Sequence, residues 1–247
     1  MTEEYRQRTI RSKLARMELP SVHGVSTGLR ALDGVLGPEG LPRGRLIEWF
    51  GPPSCGKTTL ALQTVAHLQG RGLAAAWIDA DRTFDPAYAA ARGVALEKMP
   101  VARPETAEEA LEIARQLLDS GAIDLLVLDS AAALAASLEL DPGVAEWGHT
   151  LQARVFTSGL RRIDLVLRRR GASAIFLNQD RGNPDTGGEP GTSAGVPALK
   201  LYAAVRLALD SRGGRRLHLR TLRNSVAEAR PDGLLERAAG GGFTDTL

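Results

Sequence analysis

Two periods of apolar residues alternate along the chain. Short unbroken runs read as buried strands: RLIEWF (45–50), LAAAWIDA (73–80), DLLVLDS (124–130) and ASAIFLNQ (172–179). Stretches with an apolar position every three or four residues read as helices over 28–37, 58–69, 86–93, 106–121 and 149–171. In the second of these Leu60, Leu62, Val65 and Leu68 turn inward and Gly70 is the stop. The fourth opens on Thr106, with Glu109 placed to complete a capping box. LYAAVRLAL (201–209) and RRLHLRTLR (215–223), joined around Arg212-Gly213-Gly214, predict an antiparallel hairpin at a sheet edge. Strand–helix alternation of this kind predicts an α/β fold, a mostly parallel sheet flanked by helices on both faces.

Three regions follow from the same pattern. Residues 1–20 hold a polar helix over 3–18 whose few apolar positions, Ile10, Leu14 and Met17, suit an interaction arm. Residues 21–230 form the core. The tail 231–247, PDGLLERAAGGGFTDTL, is expected to be weakly ordered, and its Phe243 reads as a contact for another protein. Within the core, residues 180–197 carry five glycines and three prolines with no apolar period, the mark of a functional or disordered loop.

Composition narrows the class. The 247 residues are 43% hydrophobic and 24% charged, near the average for soluble globular chains, but only 4% aromatic, so aliphatic and alanine packing must fill the core. Basic and acidic residues nearly balance at 31 to 29, against a general polyanion binder. The densest basic stretch, Arg161-Arg162 with Arg168-Arg169-Arg170, reads equally as a solvated face or as a DNA contact. The first residues lack an apolar leader, no apolar run spans a bilayer, and one cysteine suits a reducing compartment, so a cytoplasmic protein without membrane contact is expected.

The chemistry starts at Gly51-Pro52-Pro53-Ser54-Cys55-Gly56-Lys57-Thr58, which fits G-x-x-x-x-G-K-T and joins an apolar strand to a helix. In that context glycines let successive N–H groups wrap phosphate oxygens, Lys57 supplies charge to the terminal phosphates, and the Thr58 hydroxyl can ligate Mg2+. The expected ligand is ATP, with Thr59 also in the binding segment. Asp129, closing a buried strand expected next to the phosphate strand, is the second metal candidate. Cys55 lies among the loop amides near Lys57, which favours a thiolate; the plainer reading is a small residue that fits.

Six collinear segments, 25–69, 77–94, 124–134, 151–163, 175–179 and 198–209, together resemble a RecA-type core. The resemblance implies that Asp85 and Tyr88, in Asp-Pro-x-Tyr, contact adenine. It implies that Gln179 senses the terminal phosphate, and that Arg154, Arg161 and Arg181 lie near single-stranded DNA, with 139–150 and 180–197 as DNA-facing loops. Asp81 stands where the family has its catalytic glutamate, one methylene longer. Arg223-Asn224-Ser225 stands where it has a lysine pair that enters the neighbouring subunit's site, keeping Arg223 as one catalytic charge. Both departures imply slow hydrolysis. The second loop has Arg181 as its only base and ends in Gly195-Val196-Pro197, which implies weak DNA binding. A short core with such departures is similar to the ImuA group, RecA-like accessory proteins of error-prone translesion synthesis in the DNA-damage response. That similarity implies a RecA-type recombinase and polymerase-like proteins as partners, with possible self-association. The alternatives are a DNA-dependent ATPase and recombinase of the RecA type, or a regulatory interaction protein with a vestigial nucleotide site.

Overall fold

The computed structural model describes residues 23–134, 148–179, 197–211 and 214–246. The expected N-terminal arm, residues 139–147 and 180–196 of the two expected DNA-facing loops, and Arg181 lie outside the described residues.

The apolar runs form the middle of one nine-stranded sheet, ordered β11-β10-β9-β8-β3-β7-β6-β4-β5. Its parallel part comprises β3 (Leu46–Gly51), β4 (Ala75–Asp79), β5 (Val101–Ala102), β6 (Leu125–Asp129), β7 (Ser173–Gln179) and β8 (Val205–Asp210). The antiparallel edge comprises β9 (Arg216–Asn224), β10 (Asp232–Arg237) and β11 (Phe243–Asp245). A separate two-stranded pair, β1 (Gly24–Val25) and β2 (Leu41–Pro42), brackets α1 (Arg30–Leu36).

Helices cover both faces, as the alternation requires. On one face α1 and α2 (Lys57–Gly70) join a core that contains Trp49, Leu60, Val65, Trp77, Leu177 and Leu207. On the other, α4 (Ala107–Asp119) packs on α5 (Gly148–Arg170), after the short α3 (Pro86–Ala91) on the first face. Helix α4 buries Ala107, Ala110, Leu111, Ala114 and Leu118, one face of a 3.6-residue period, against Phe156, Leu160, Ile163 and Leu167 of the second core. Each fully buried leucine contributes about 1.5–3 kcal/mol of burial.

Four expectations need correcting. The first residues of LYAAVRLAL do not extend the strand; they end a short helix, α6 (Pro197–Tyr202), and β8 begins at Val205. Pro197 at the first helical position has its φ set for a helix and needs no N–H partner. The capping box at α4 is displaced: Thr106 accepts from Glu109 N–H, but Glu109 accepts from Glu105 N–H, not from Thr106. Strand β6 is not beside β3, because β7 lies between them.

The fourth correction is the tail. Residues 232–237 and 243–245 are strands that prolong the edge hairpin, so the core extends past 230. Leu235 and Phe243, 0% and 1% exposed, belong to the first core, and Phe243 is not available to a partner protein. The Asp245 carboxylate accepts from the N–H groups of Arg30 and Ala31, closing the first turn of α1 at 3.0 and 2.7 Å. The open edge of β9 supplies a ladder that a short, glycine-rich segment could not make alone.

Candidate functional site

All six parallel strands run the same way, so the segments after β3, β4, β6 and β7 emerge at one rim. The loop after β3 turns tightly there. At Gly51 a Cβ would fall 2.1 Å from Leu209 O, and Gly56 has φ +113°, so both need glycine. The turn delivers the first N–H groups of the 14-residue α2 to the rim, where helix-end donors and dipole favour an anion. Lys57, 9% exposed, donates to Gly51 O at 3.0 Å and Pro52 O at 2.8 Å, and rests 3.8 Å from Cys55 Sγ. An ammonium has three donors; two are fixed by the loop, and the third meets a soft sulfur that a phosphate oxygen would readily replace.

Thr58 Oγ1 donates to Asp129 Oδ2 at 2.8 Å, across 71 residues of sequence. The two metal candidates therefore meet although β7 separates their strands. Burial pushes the Asp129 carboxyl up to about 6; nearby Asp81 and Asp79 add to the rise, opposed by the Thr58 hydrogen bond and the Lys57 charge. A buried carboxyl crowded by two others is one that a cation relieves. No cluster of three or more His, Cys, Asp or Glu side chains suited to a metal occurs among the described residues. Thr58 and Asp129 alone would leave most positions to phosphate oxygens and water, the arrangement Mg2+ favours. The residues present thus fit a magnesium-bound nucleoside triphosphate.

Asp81 sits beside Asp129, its Oδ1 accepting from Ser130 Oγ at 2.9 Å and Ser130 N–H at 3.2 Å. Gln179 ends β7 in register with Gly51, its N–H donating to Asn178 Oδ1. Tyr88 Oη is 2.7 Å from Thr59 Oγ1, Arg92 lies 5.1 Å over the Tyr88 ring, and the residue is 39% exposed. Asp85 Oδ1 accepts from the N–H groups of Ala87 and Tyr88 as the N-cap of α3. The phosphate loop, Thr58, Thr59, Asp81, Tyr88, Asp129 and Gln179 are thus gathered at one rim.

Other candidates are not. Arg223 pairs with Arg206, which is level with Glu48; it lies about 10 Å back along the strands from Gly51 and about 10 Å across. Its guanidinium donates to Lys200 O at 2.6 Å. It does not enter this chain's own phosphate site. Arg154 and Arg161 are exposed on α5, seven residues apart and so on nearly one helical face. Helix α5 runs back from the rim, and Arg154, about 24 Å from the helix end at Arg170, lies near rim height. It lines a groove of about 460 Å3 between α4 and α5 with Glu108, Glu112, Arg115 and Arg162. The three arginines that end α5 lie away from the rim and meet carboxylates: Arg168 pairs with Asp164, and Arg169 and Arg170 pair with Asp119.

Cys55 is 1% exposed, and burial pushes its thiol up despite the opposing Lys57 charge, which supports the plainer reading of a small residue that fits. Sequence reasoning missed Asp79, which is 1% exposed. It accepts from Thr83 and Phe84 N–H groups and from Arg103 Nε at 3.0 Å, fixing the turn that carries Asp81 and Asp85. It also missed Ser130 and, at the back of the phosphate loop, Arg237 and Phe243.

The family model for the RecA N-terminal domain matches residues 3–226. The chain belongs to the RecA family. Proteins named RecA from three organisms show the likeness in detail. That of Streptococcus gordonii is 39% identical over 239 residues, covering 91% of this chain and 62% of its own. That of Thermus thermophilus is 44% identical over 202 residues, covering 81% and 59%. That of Frankia casuarinae is 41% identical over 235 residues, covering 91% and 68%. The chain spans about three-fifths of the length of the first two. The RecA-like core is the α/β sheet with its rim described above. No helix among the described residues is long and apolar enough to cross a membrane.

Proposed function

We propose that this chain is a RecA-type protein of DNA repair that binds ATP with Mg2+ at the rim after β3 and hydrolyses it in response to single-stranded DNA. The observation that carries the reading is the 2.8 Å hydrogen bond between Thr58 and Asp129, which joins the phosphate loop to the metal-holding strand. The bound cation would neutralise charge developing on the phosphate oxygens. Lys57 meets the terminal phosphates, the exposed Tyr88 ring offers a face to the base, and Asp81 orients and deprotonates the attacking water. Gln179, in register with Gly51, reports the terminal phosphate to residues 180–197. Arg154 and Arg161, with Arg181, supply contacts to the DNA backbone. Arg223, remote from its own site, would act only on a neighbouring copy in a self-associated form.

One observation favours a second reading, an accessory protein of translesion synthesis that binds ATP and works through a RecA-type recombinase and a polymerase-like partner. The short arm of Asp81 is held by both Ser130 donors, which restrains the only carboxylate offered as base. ATP turnover with and without single-stranded DNA separates the two. Turnover that rises at least about tenfold with DNA supports the first, each tenfold being about 1.4 kcal/mol of barrier. Nucleotide binding with turnover indifferent to DNA overturns it in favour of the second. Thr58→Ala must abolish magnesium-dependent nucleotide binding in either case.

A further inference from the structure

The phosphate loop passes through the left-handed region at Ser54 (φ 59°) and Gly56 (φ 113°). A serine stays in that region only where its surroundings hold it. Two of its carbonyls are held by the C-terminal strands. Arg237, the last residue of β10, donates from Nη2 to Cys55 O at 3.2 Å and to Ser54 O at 3.5 Å. Its guanidinium lies 5.1 Å over the ring of Phe243. That ring fills the space behind Gly56, where a Cβ would meet Phe243 Cζ at 2.5 Å. Phe243 is fixed in turn by α2: Gln63 Nε2 donates to Phe243 O at 2.6 Å, and Phe243 N–H donates to Gln63 Oε1 at 2.9 Å. Lys57 holds the carbonyls of Gly51 and Pro52 at the other end of the same loop.

We propose that Arg237, carried on the Phe243 ring, is a positioning residue for the nucleotide: it grips the carbonyls of Ser54 and Cys55 and so holds the loop in the conformation that receives phosphate. The inference rests on the nucleotide-binding reading above. A guanidinium suits the task because one flat group can stack on the ring while its edge serves two carbonyls. The buried ring and the reciprocal Gln63 bonds make β11 the anchor of this grip, so nucleotide affinity depends on a segment nearly 200 residues from the loop in sequence.

The test is binding of fluorescent ATP and ADP analogues, with Mg2+, to the full chain and to Arg237→Gln, Arg237→Lys, Phe243→Leu and Lys57→Ala, alongside nucleotide-free unfolding midpoints. Arg237→Gln is expected to weaken both nucleotides about tenfold, as loss of a charged hydrogen bond does, with its midpoint nearly unchanged. Arg237→Lys, which keeps the charge and donor hydrogens but loses the flat stacking group, is expected to recover most of that loss, and Phe243→Leu to fall between. Arg237→Gln binding as tightly as the parent overturns the proposal. So do Gln and Lys variants that lose affinity and midpoint alike, which marks a merely structural contact. Binding by the parent and none by Lys57→Ala leaves the nucleotide reading standing whichever way Arg237 falls; no binding by the parent ends both.

Discussion

Glu48 is a charge in the middle of an apolar strand, and replacing it by glutamine should cost far more than the change of one atom suggests. The carboxylate is 0% exposed and accepts from Arg206 Nε at 2.6 Å and from Asn178 Nδ2 at 2.9 Å. It therefore ties β8, β3 and β7 together beneath the phosphate loop. Glu48→Gln preserves shape but puts an amide donor where one of the two donors already points, and takes the Glu48 charge away from the Arg206 guanidinium, 10% exposed. Removing one partner of a buried pair costs about 3–5 kcal/mol; because the amide oxygen still accepts one bond, the lower end, about 3 kcal/mol, is expected. For a chain of this size that lowers the melting temperature by about 6–12 °C. Urea unfolding followed by the emission of Trp49, itself 0% exposed on the same strand, measures the change. The double variant Glu48→Leu/Arg206→Met removes both charges and should recover most of the loss. A Glu48→Gln midpoint equal to the parent's, or a double variant worse than the single one, refutes the argument.

Other consequences are equally direct. Cys55 should react slowly with iodoacetamide in the folded chain at neutral pH and rapidly in urea, because burial holds its proton on and excludes the reagent; fast native alkylation would contradict this. Since its folded pKa is raised above the ordinary 9.0, the unfolded thiol ionises first, and stability should fall as pH climbs above that value, a loss that Cys55→Ala should remove. Thr106→Ala deletes the 3.2 Å bond to Glu109 N–H and should cost about 1 kcal/mol in chemical denaturation, whereas Thr106→Ser should cost little.

How much of this was legible from residue order depends on how far apart the partners lie. The phosphate loop is a contiguous motif in a strand-to-helix setting, so eight residues suffice to place it. Asp129 was legible as the end of an apolar run, but its strand position was not, because the order β3-β7-β6 is decided by pairings between distant segments. Glu48 is visible inside RLIEWF, yet nothing local names Arg206, 158 residues on, as its partner. Asp79 reads as one more strand residue until Arg103 and the turn after β4 close on it.

The tail shows the same rule at its limit. Taken alone, the run Ala238-Ala239-Gly240-Gly241-Gly242 has nothing larger than a methyl group to bury, and a strand of three residues cannot stand by itself. Both facts argue for disorder, and both are overridden by the free edge of β9 and by the packing of the Phe243 ring behind Gly56. The glycines that signal a loose end instead let the chain turn close to Arg92, whose Nη2 donates to Gly240 O at 2.7 Å while its guanidinium covers Tyr88. One short segment thus backs the phosphate loop through Arg237 and Phe243 and buttresses the Tyr88 face through Arg92. A composition-based reading assigns it no role, because every one of those partners lies far away in sequence.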